Sequence, residues 1–265
     1  MNGTGSEDIL WRHIRELPYF RAMVRAVEDG FYQDLELPRP ILDVGCGDGQ
    51  FASVAFREPL DVGIDPFWAT LPEAHHRGSY RLTIQAEGAR IPFPDASFAS
   101  AVSNSVLEHI PDVEPVLAEV ARVVKPGGTF LFCVPNHRFP QLLLGTTVMR
   151  SLGIRPAADW YGRFFNRISR HVHTDPEPVW RERLSKVGFS ILKTWDYFPQ
   201  KALFIMETGH FFGLPALFSR KLTGRWILSP SRWNLWLPYH LADGYVRNPL
   251  SPEGVYSFYV TQRNA

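Results

Sequence analysis

Apolar residues fall along this chain in two rhythms, short unbroken runs and stripes at helical spacing, and their order predicts alternating strands and helices. In residues 6–37, Ile9, Leu10, His13, Ile14 and Leu17 share one helical face; Pro18 interrupts, and Phe20, Met23, Val24, Val27 and Phe31 resume the spacing. Two helices are therefore expected, ended by Pro38 and Pro40. Apolar runs at 41–44, 60–64, 81–84, 99–103 and 129–134 read as five strands, with helices over 51–56 and 113–124. The second of these helices stops at KPGG, where Pro126 cannot extend it and Gly127 and Gly128 accept left-handed backbone. A further helix over 177–187 and strands over 189–198 and 255–262 complete the pattern. This alternation is that of a doubly wound α/β domain.

The first strand runs into VGCGDGQF. Glycines at 45, 47 and 49 let the backbone take positive φ and let a ligand lie against main chain, and a helix begins at Gln50. A dinucleotide site would carry G-x-G-x-x-G with phosphates on the helix N-terminus. Here the spacing is G-x-G-x-G, flanked by Asp43 and Asp48, and a carboxylate at the mouth suits a cationic ligand better than a pyrophosphate. This spacing also weighs against a nicotinamide oxidoreductase. At the end of the next strand, Asp65 is placed to accept hydrogen bonds from two vicinal ribose hydroxyls, although an Asp before Pro66 is by itself a common turn residue. Phe67 follows as an aromatic that would flank an adenine.

Together with AEGARIPFPDASFASAVSNSVLEHIPD at 86–112, the glycine stretch resembles the class I S-adenosylmethionine (SAM) dependent methyltransferases, in particular the type 11-like small-molecule enzymes. The resemblance is close over 36–134 and loose over 171–198. It implies a Rossmann-like seven-stranded sheet in the order 3-2-1-4-5-7-6, SAM as cofactor, and a glycine loop, Cys46 included, passing under the methionine half of SAM. It further implies that Glu87, where the family usually has Asp, accepts from the adenine amino group, and that Gly88 offers its N–H to the ring. Asn104 and Ser105 would contact the methionine amino group through main chain. His109, expected to open a helix, is frequent in the subfamily, and a structural role for it stays as open as a cofactor role. In the family an N-terminal helix often closes over SAM, and Tyr19 and Phe20 are the residues expected to do so here.

Composition bounds the rest. With 265 residues, 45% hydrophobic and 21% charged, one globular domain is expected, organised as a helical arm (1–37), the methyltransferase core, and two insertions at 135–175 and 199–254. Two cysteines imply no disulfide framework, and no signal-peptide pattern or apolar run of membrane length is read, so a cytoplasmic protein is expected. The net charge is +1, but residues 161–247 hold 13 Lys and Arg against 6 Asp and Glu, making that region +7 and the remainder −6.

The second insertion interleaves Phe204, Phe211, Phe212, Phe218, Trp226, Trp233 and Trp236 with Arg220, Lys221, Arg225 and Arg232. It reads either as a cap on the sheet edge, or as a lid over an amphiphilic acceptor or a surface for peripheral membrane contact, with Trp226, Trp233, Trp236 and Arg232 touching substrate. The near-neutral overall charge weighs against nucleic acid, and nothing in the sequence speaks to oligomeric state. The expected reaction is transfer of the SAM methyl group to a small hydrophobic or amphiphilic acceptor, most simply to oxygen. The alternatives are a SAM-binding protein without transfer, or an enzyme acting on a membrane lipid or RNA. If the acceptor must lose a proton, His137, His173 and His171 are the candidate bases. No metal is expected, because the H-x-H pair at 171 and 173 lacks further ligands at supporting spacing.

Overall fold

In the computed structural model, which describes residues 8–265, five parallel strands form the centre of one sheet: β1 (Ile41–Val44), β2 (Leu60–Asp65), β3 (Tyr80–Gln85), β4 (Phe98–Asn104) and β5 (Val124–Pro135). Two antiparallel strands, β6 (Phe189–Tyr197) and β7 (Tyr256–Arg263), complete the order β3-β2-β1-β4-β5-β7-β6, as the resemblance implies. The arm is α1 (Ile9–Ile14) and α2 (Tyr19–Gln33), and α3 (Gln50–Ala55), α4 (Leu71–His76) and α5 (Glu114–Val123) cross between parallel strands. The first insertion folds as α6 (Phe139–Leu142), α7 (Leu144–Ser151) and α8 (Arg155–Ser169). Helix α9 (Glu177–Lys186) precedes β6, and α10 (Gln200–Phe212), α11 (Leu214–Thr223) and α12 (Trp236–Arg247) form the second insertion.

The period-two alternation of a strand divides the core into two layers. On β5, Phe130, Phe132 and Val134 face α5 and α9, where Val116, Leu117, Val120, Trp180 and Leu184 are buried. Leu131 and Cys133 face the other side, toward Met23, Ala26 and Val27 of α2. The arm is thus half of the core. The insertions add to the same layer, and one carboxylate joins them. Glu207 of α10 is buried and accepts from the backbone N–H groups of Leu144 and Gly145 (3.0 Å for the latter) and from the Tyr161 hydroxyl at 2.6 Å, so it caps the N-terminus of α7.

Two local expectations are corrected. KPGG does not precede the fifth strand but sits as an irregularity within it: Val124 pairs with Phe98 and Thr129 with Ser100, so residues 125–128 bow out opposite Ala99, with Gly127 at φ +76°. His109 does not open a helix. It closes a single 3-10 turn, Leu107–His109, and the α-helix starts only at Glu114, after Pro111 has broken the chain direction.

Phe132 is fully buried between Trp180 and Tyr259, its ring stacked on Tyr259 at 4.6 Å and 12°. Phe132→Ala leaves a cavity in a layer built from three elements and is expected to destabilise the fold by about 3–5 kcal/mol, measured by chemical denaturation. A loss below about 1 kcal/mol would mean that this layer collapses freely around the hole.

Candidate active site at the carboxyl edge of the sheet

The C-terminal ends of β1 and β4 border a cavity of about 290 Å³, and a second space of about 570 Å³ continues from it past Leu17, Asp48, Gln50, Thr70, Arg220 and Trp226. Its floor is the glycine loop. Gly45 has φ +85°, and a side chain there would run into Val106; Gly47, at φ +55°, faces open space. The N–H groups of Gly45 and Cys46 both donate to the Ile64 carbonyl at 2.9 Å, which ties the loop to the end of β2.

Asp65 completes that tie. Its Oδ2 accepts from the Gly47 N–H and its Oδ1 from the Phe67 N–H, each at 2.9 Å, so the residue expected to bind ribose also holds the loop in shape. Two oxygens with about four acceptor sites leave capacity for hydroxyls. Asp43 lines the cavity and takes a hydrogen bond of 2.6 Å from the Tyr80 hydroxyl. Burial pushes its carboxyl up to about 6, against the pull of the Tyr80 hydrogen bond and the Arg25 guanidinium.

Across the cavity, Asn104 is fixed at every polar group of its side chain. Its Nδ2 donates to Glu28 at 2.6 Å, and its Oδ1 accepts from the Cys133 thiol at 3.1 Å; its carbonyl accepts from Arg25 at 3.0 Å. Ser105 stands in left-handed backbone at φ +52°, its hydroxyl donating to Glu28 at 2.8 Å.

The remaining walls come from outside the motif. Leu17, from the bend before α2, and Arg21 and Arg25, one turn apart on α2, line the cavity, and Arg220 and Trp226 reach it from the second insertion. The Trp226 indole lies between two guanidinium groups, Arg220 at 4.7 Å and Arg21 at 5.4 Å from the ring centre. Burial draws Arg21 down to about 10. Sequence reasoning missed Arg21 and Arg25, and the signal was present as two cations four residues apart on α2, a helix whose neighbouring faces are apolar. Tyr19 and Phe20, expected to close over the cofactor, instead brace α10: the Tyr19 hydroxyl donates to the Ile205 carbonyl at 3.3 Å, and Phe20 packs on His210 at 4.3 Å. A helix turns about 100° per residue, which is why the adjacent Arg21 faces elsewhere.

Of the residues singled out in the sequence, Asp43, Gly45, Cys46, Gly47, Asn104 and Trp226 meet at this cavity. Gly49 is pressed against Ser79 and Ala74 at the start of α3, where its conformation serves packing. Gly88 packs against Val116 and Val44. Pro66 and Glu87 are exposed, as is Phe67 at 69%. Trp233 and Trp236, expected to touch substrate, are 80% and 59% exposed and do not line the cavity, and Arg232 is stacked on Trp11 at 4.4 Å.

None of the three candidate bases lines the cavity or its extension. His173 is engaged at both ring nitrogens, Nε2 with the Ile110 carbonyl at 3.0 Å and Nδ1 with Asp175 at 3.3 Å. His137 follows β5 beside the Arg138–Asp196 pair; its Nδ1 is buried without a partner, and desolvation, then Arg138, lowers its basicity. His171 is dropped to about 3 by desolvation. It belongs to a group that sequence spacing does not reveal, in which Glu108, His109 and His171 bring one potential ligand atom each to within 4.8 Å of one another. Burial pushes the Glu108 carboxyl up to about 8.

Comparison with known proteins bears on the whole arrangement. Residues 42–132 match the family model described as a methyltransferase domain. A probable S-adenosylmethionine-dependent methyltransferase of Mycolicibacterium smegmatis is 39% identical over 105 residues, covering 37% of this chain and 39% of that protein. The chain therefore spans well under two thirds of the length of such curated relatives. Among solved structures, a SAM-dependent methyltransferase of Thermotoga maritima, described as a possible histamine N-methyltransferase, covers 93% of this chain and 91% of its own at a TM-score of 0.55 and 16% identity. The [4+2]-cyclase SpnF covers 91% of this chain and 81% of its own, with a TM-score of 0.55 and 18% identity. At those identities the likeness is one of fold, and a cyclase among the neighbours shows that the fold alone does not specify the reaction. Residues 42–132 thus match a methyltransferase domain, set in a sheet whose order is that of the class I SAM-dependent methyltransferase fold.

Proposed function

We propose that the chain transfers the methyl group of SAM to an oxygen of an amphiphilic small molecule, in the cavity between the glycine loop and the second insertion. One observation carries this reading: the cavity that Asp43, Gly45 and Gly47 border on one side is bordered on the other by Arg220 and Trp226 of the insertion. A methyl donor held on the loop would then face an aromatic and cationic wall. SAM supplies both electrophile and leaving group, so the protein's part is to align the acceptor and exclude water, with a base where the acceptor must lose a proton. In this reading Asp43 pairs with the SAM ammonium, Asp65 and Glu87 take the ribose and adenine, and the guanidinium groups of Arg21 and Arg220 take anionic groups bidentately. His137 is the first choice among the three histidines as base, since it keeps an unpartnered ring nitrogen and desolvation favours its neutral form. It lies outside the cavity lining, so the acceptor must extend beyond that lining to meet it.

The insertion surface favours an acceptor with a large apolar part, drawn from a membrane surface. Phe212, Phe218 and Leu222 on α10 and α11 are 70–83% exposed, and Lys221, Arg225 and Arg232 are exposed in the same insertion. Among the described residues no single helix is long and apolar enough to cross a membrane. The combination suits a helix pair lying in the interface, with cations at anionic headgroups and apolar area buried at about 25 cal/mol per Å².

Three measurements test the reading. Ionised Asp43 is required to pair with an ammonium, and burial pushes its carboxyl up to about 6. SAM affinity, followed by calorimetry, is therefore expected to fall about tenfold between pH 7 and pH 5, and Asp43→Asn to bind weakly with a flat profile. A flat profile in the wild-type protein removes Asp43 from the ammonium site. His137→Ala is expected to lower kcat on the order of 10²-fold or more for an alcohol acceptor while leaving SAM affinity intact. An unchanged kcat would dismiss it as the base. Finally, sedimentation with vesicles containing phosphatidylglycerol is expected to carry the wild-type protein down, and Phe218→Ser with Leu222→Ser to weaken that binding. If neither protein binds, or both bind alike, the acceptor does not reach the site from a membrane through this surface.

A further inference from the structure

We propose that Glu108, His109 and His171 form a binding site for one divalent transition-metal ion of the zinc type, beyond the C-terminal end of β4. The inference is independent of which acceptor is methylated. Their potential ligand atoms lie within 4.8 Å of one another, although His171 is more than sixty residues from the other two in the chain. Metal–ligand distances of about 2.0–2.2 Å place donors of a tetrahedral site about 3.3–3.6 Å apart, so closure requires side-chain movement of roughly an ångström.

The two features that point to a ligand are unpartnered polar atoms. Glu108 is 1% exposed, yet its Oε2 is buried with no hydrogen bond, and the Nδ1 of His171 is likewise buried and unpaired. Two unpartnered buried acceptors, on side chains that already bring a ligand atom each to within 4.8 Å of one another, are groups that a shared cation would satisfy. The third residue is set up differently. His109 Nδ1 lies 2.9 Å from the Arg170 carbonyl, which only a protonated Nδ1 can satisfy, and this leaves the Nε2 lone pair on the side of Glu108, whose Oε1 is 3.7 Å away. A ring nitrogen donating to a carbonyl while the other faces the ion is the usual orientation of a ligating histidine.

The backbone holds these pieces in register. The Glu108 carbonyl accepts from the N–H groups of Val172 at 2.7 Å and His173 at 3.2 Å, so the loop that bears His171 is stitched to the turn that bears the other two. Arg170, left-handed at φ +60°, ends α8 and turns His171 back toward that seam, where Phe139 meets its ring edge-on at 4.9 Å. Two imidazoles and one carboxylate suit zinc, cobalt, nickel or iron(II) rather than calcium or magnesium, which prefer all-oxygen shells. Three protein ligands also leave a coordination position for water or another ligand.

The test is titration of the full chain, without SAM, with Co²⁺ and then Zn²⁺. One equivalent of Co²⁺ is expected to give visible ligand-field bands of a four- or five-coordinate ion that Zn²⁺ abolishes. Glu108→Gln, nearly isosteric, and His171→Ala are each expected to weaken binding by more than the roughly 10–100-fold that loss of an outer-shell partner produces. His240→Ala, at an exposed histidine of α12, is expected to behave as wild type. Imidazole NMR of the wild-type protein supplies a readout that does not depend on folding of the variants: Zn²⁺ should shift the ring nitrogens of His109 and His171 together. Absence of stoichiometric binding, bands unchanged in Glu108→Gln, or ring shifts confined to other histidines overturns the site.

Discussion

One buried carboxylate holds the site together. Glu28, on the arm helix α2, accepts from Arg25 at 3.3 Å, Asn104 at 2.6 Å, Ser105 at 2.8 Å and the Tyr197 hydroxyl at 3.0 Å. Those four partners belong to the arm itself, the lip of β4 and the far strand β6, so a single fully buried side chain fixes the arm across the carboxyl edge of the sheet. Each of its bonds is charge-assisted, and removing the acceptor would leave several buried donors unpaired at once, a loss far larger than one hydrogen bond. The same bonds lock Asn104 and the left-handed Ser105, whose backbone conformation would not persist without a partner that over-determines it. Placement of Arg21 and Arg25 in the cavity follows from this anchorage, because both sit on the helix that Glu28 pins.

The glycine loop depends on a second carboxylate in a comparable way. Asp65 takes the N–H groups of Gly47 and Phe67, and the Ile64 carbonyl before it takes those of Gly45 and Cys46. The end of β2 therefore shapes the loop that follows β1, which is possible only because the two strands are adjacent and parallel, with Val44 opposite Ile64. A carboxylate at this position can serve loop and ligand together, since each oxygen accepts more than one hydrogen bond.

How far the sequence discloses this follows the range of the interactions involved. Strands, crossovers and the glycine loop are written in local runs, and the sheet order follows from the family resemblance that those runs carry. Asp43, Gly45, Gly47 and Asn104 lie at strand ends, and the strand order alone brings them to one edge. Glu28 gave no signal, because an isolated Glu on a helix reads as a solvated residue until the burial of its face is known. Trp226 and Trp233 looked equivalent in the insertion, both aromatic beside Arg, and only the tertiary packing separates the one sandwiched at the cavity from the one left 80% exposed. Glu108 and His109 could be read as a pair, but His171 reaches them through the capped end of α8, a turn that no spacing rule anticipates.

The insertions are best understood as one unit rather than two loops. Glu207 binds the start of α7 and the Tyr161 hydroxyl of α8, while α10 rests on Phe20 and Tyr19 of the arm, so one helix ties both insertions to the arm. Gly209 permits that close rest, since a side chain there would meet Phe20 and Tyr19 at 2.7 and 3.0 Å. Behind this braced layer, α11 and the segment carrying Trp226 hold the cavity wall with fewer buried residues: among residues 216–223 of α11 none is buried, and Trp226 is held by its two guanidinium contacts. The second insertion thus has a densely packed inner part and a thinly packed outer wall, and fewer buried contacts mean a smaller cost for local unfolding of the wall. Arg220 and Trp226 therefore border the cavity through cation–π contacts and one 3.9 Å approach of Arg220 to Asp48, in place of the dense packing found elsewhere.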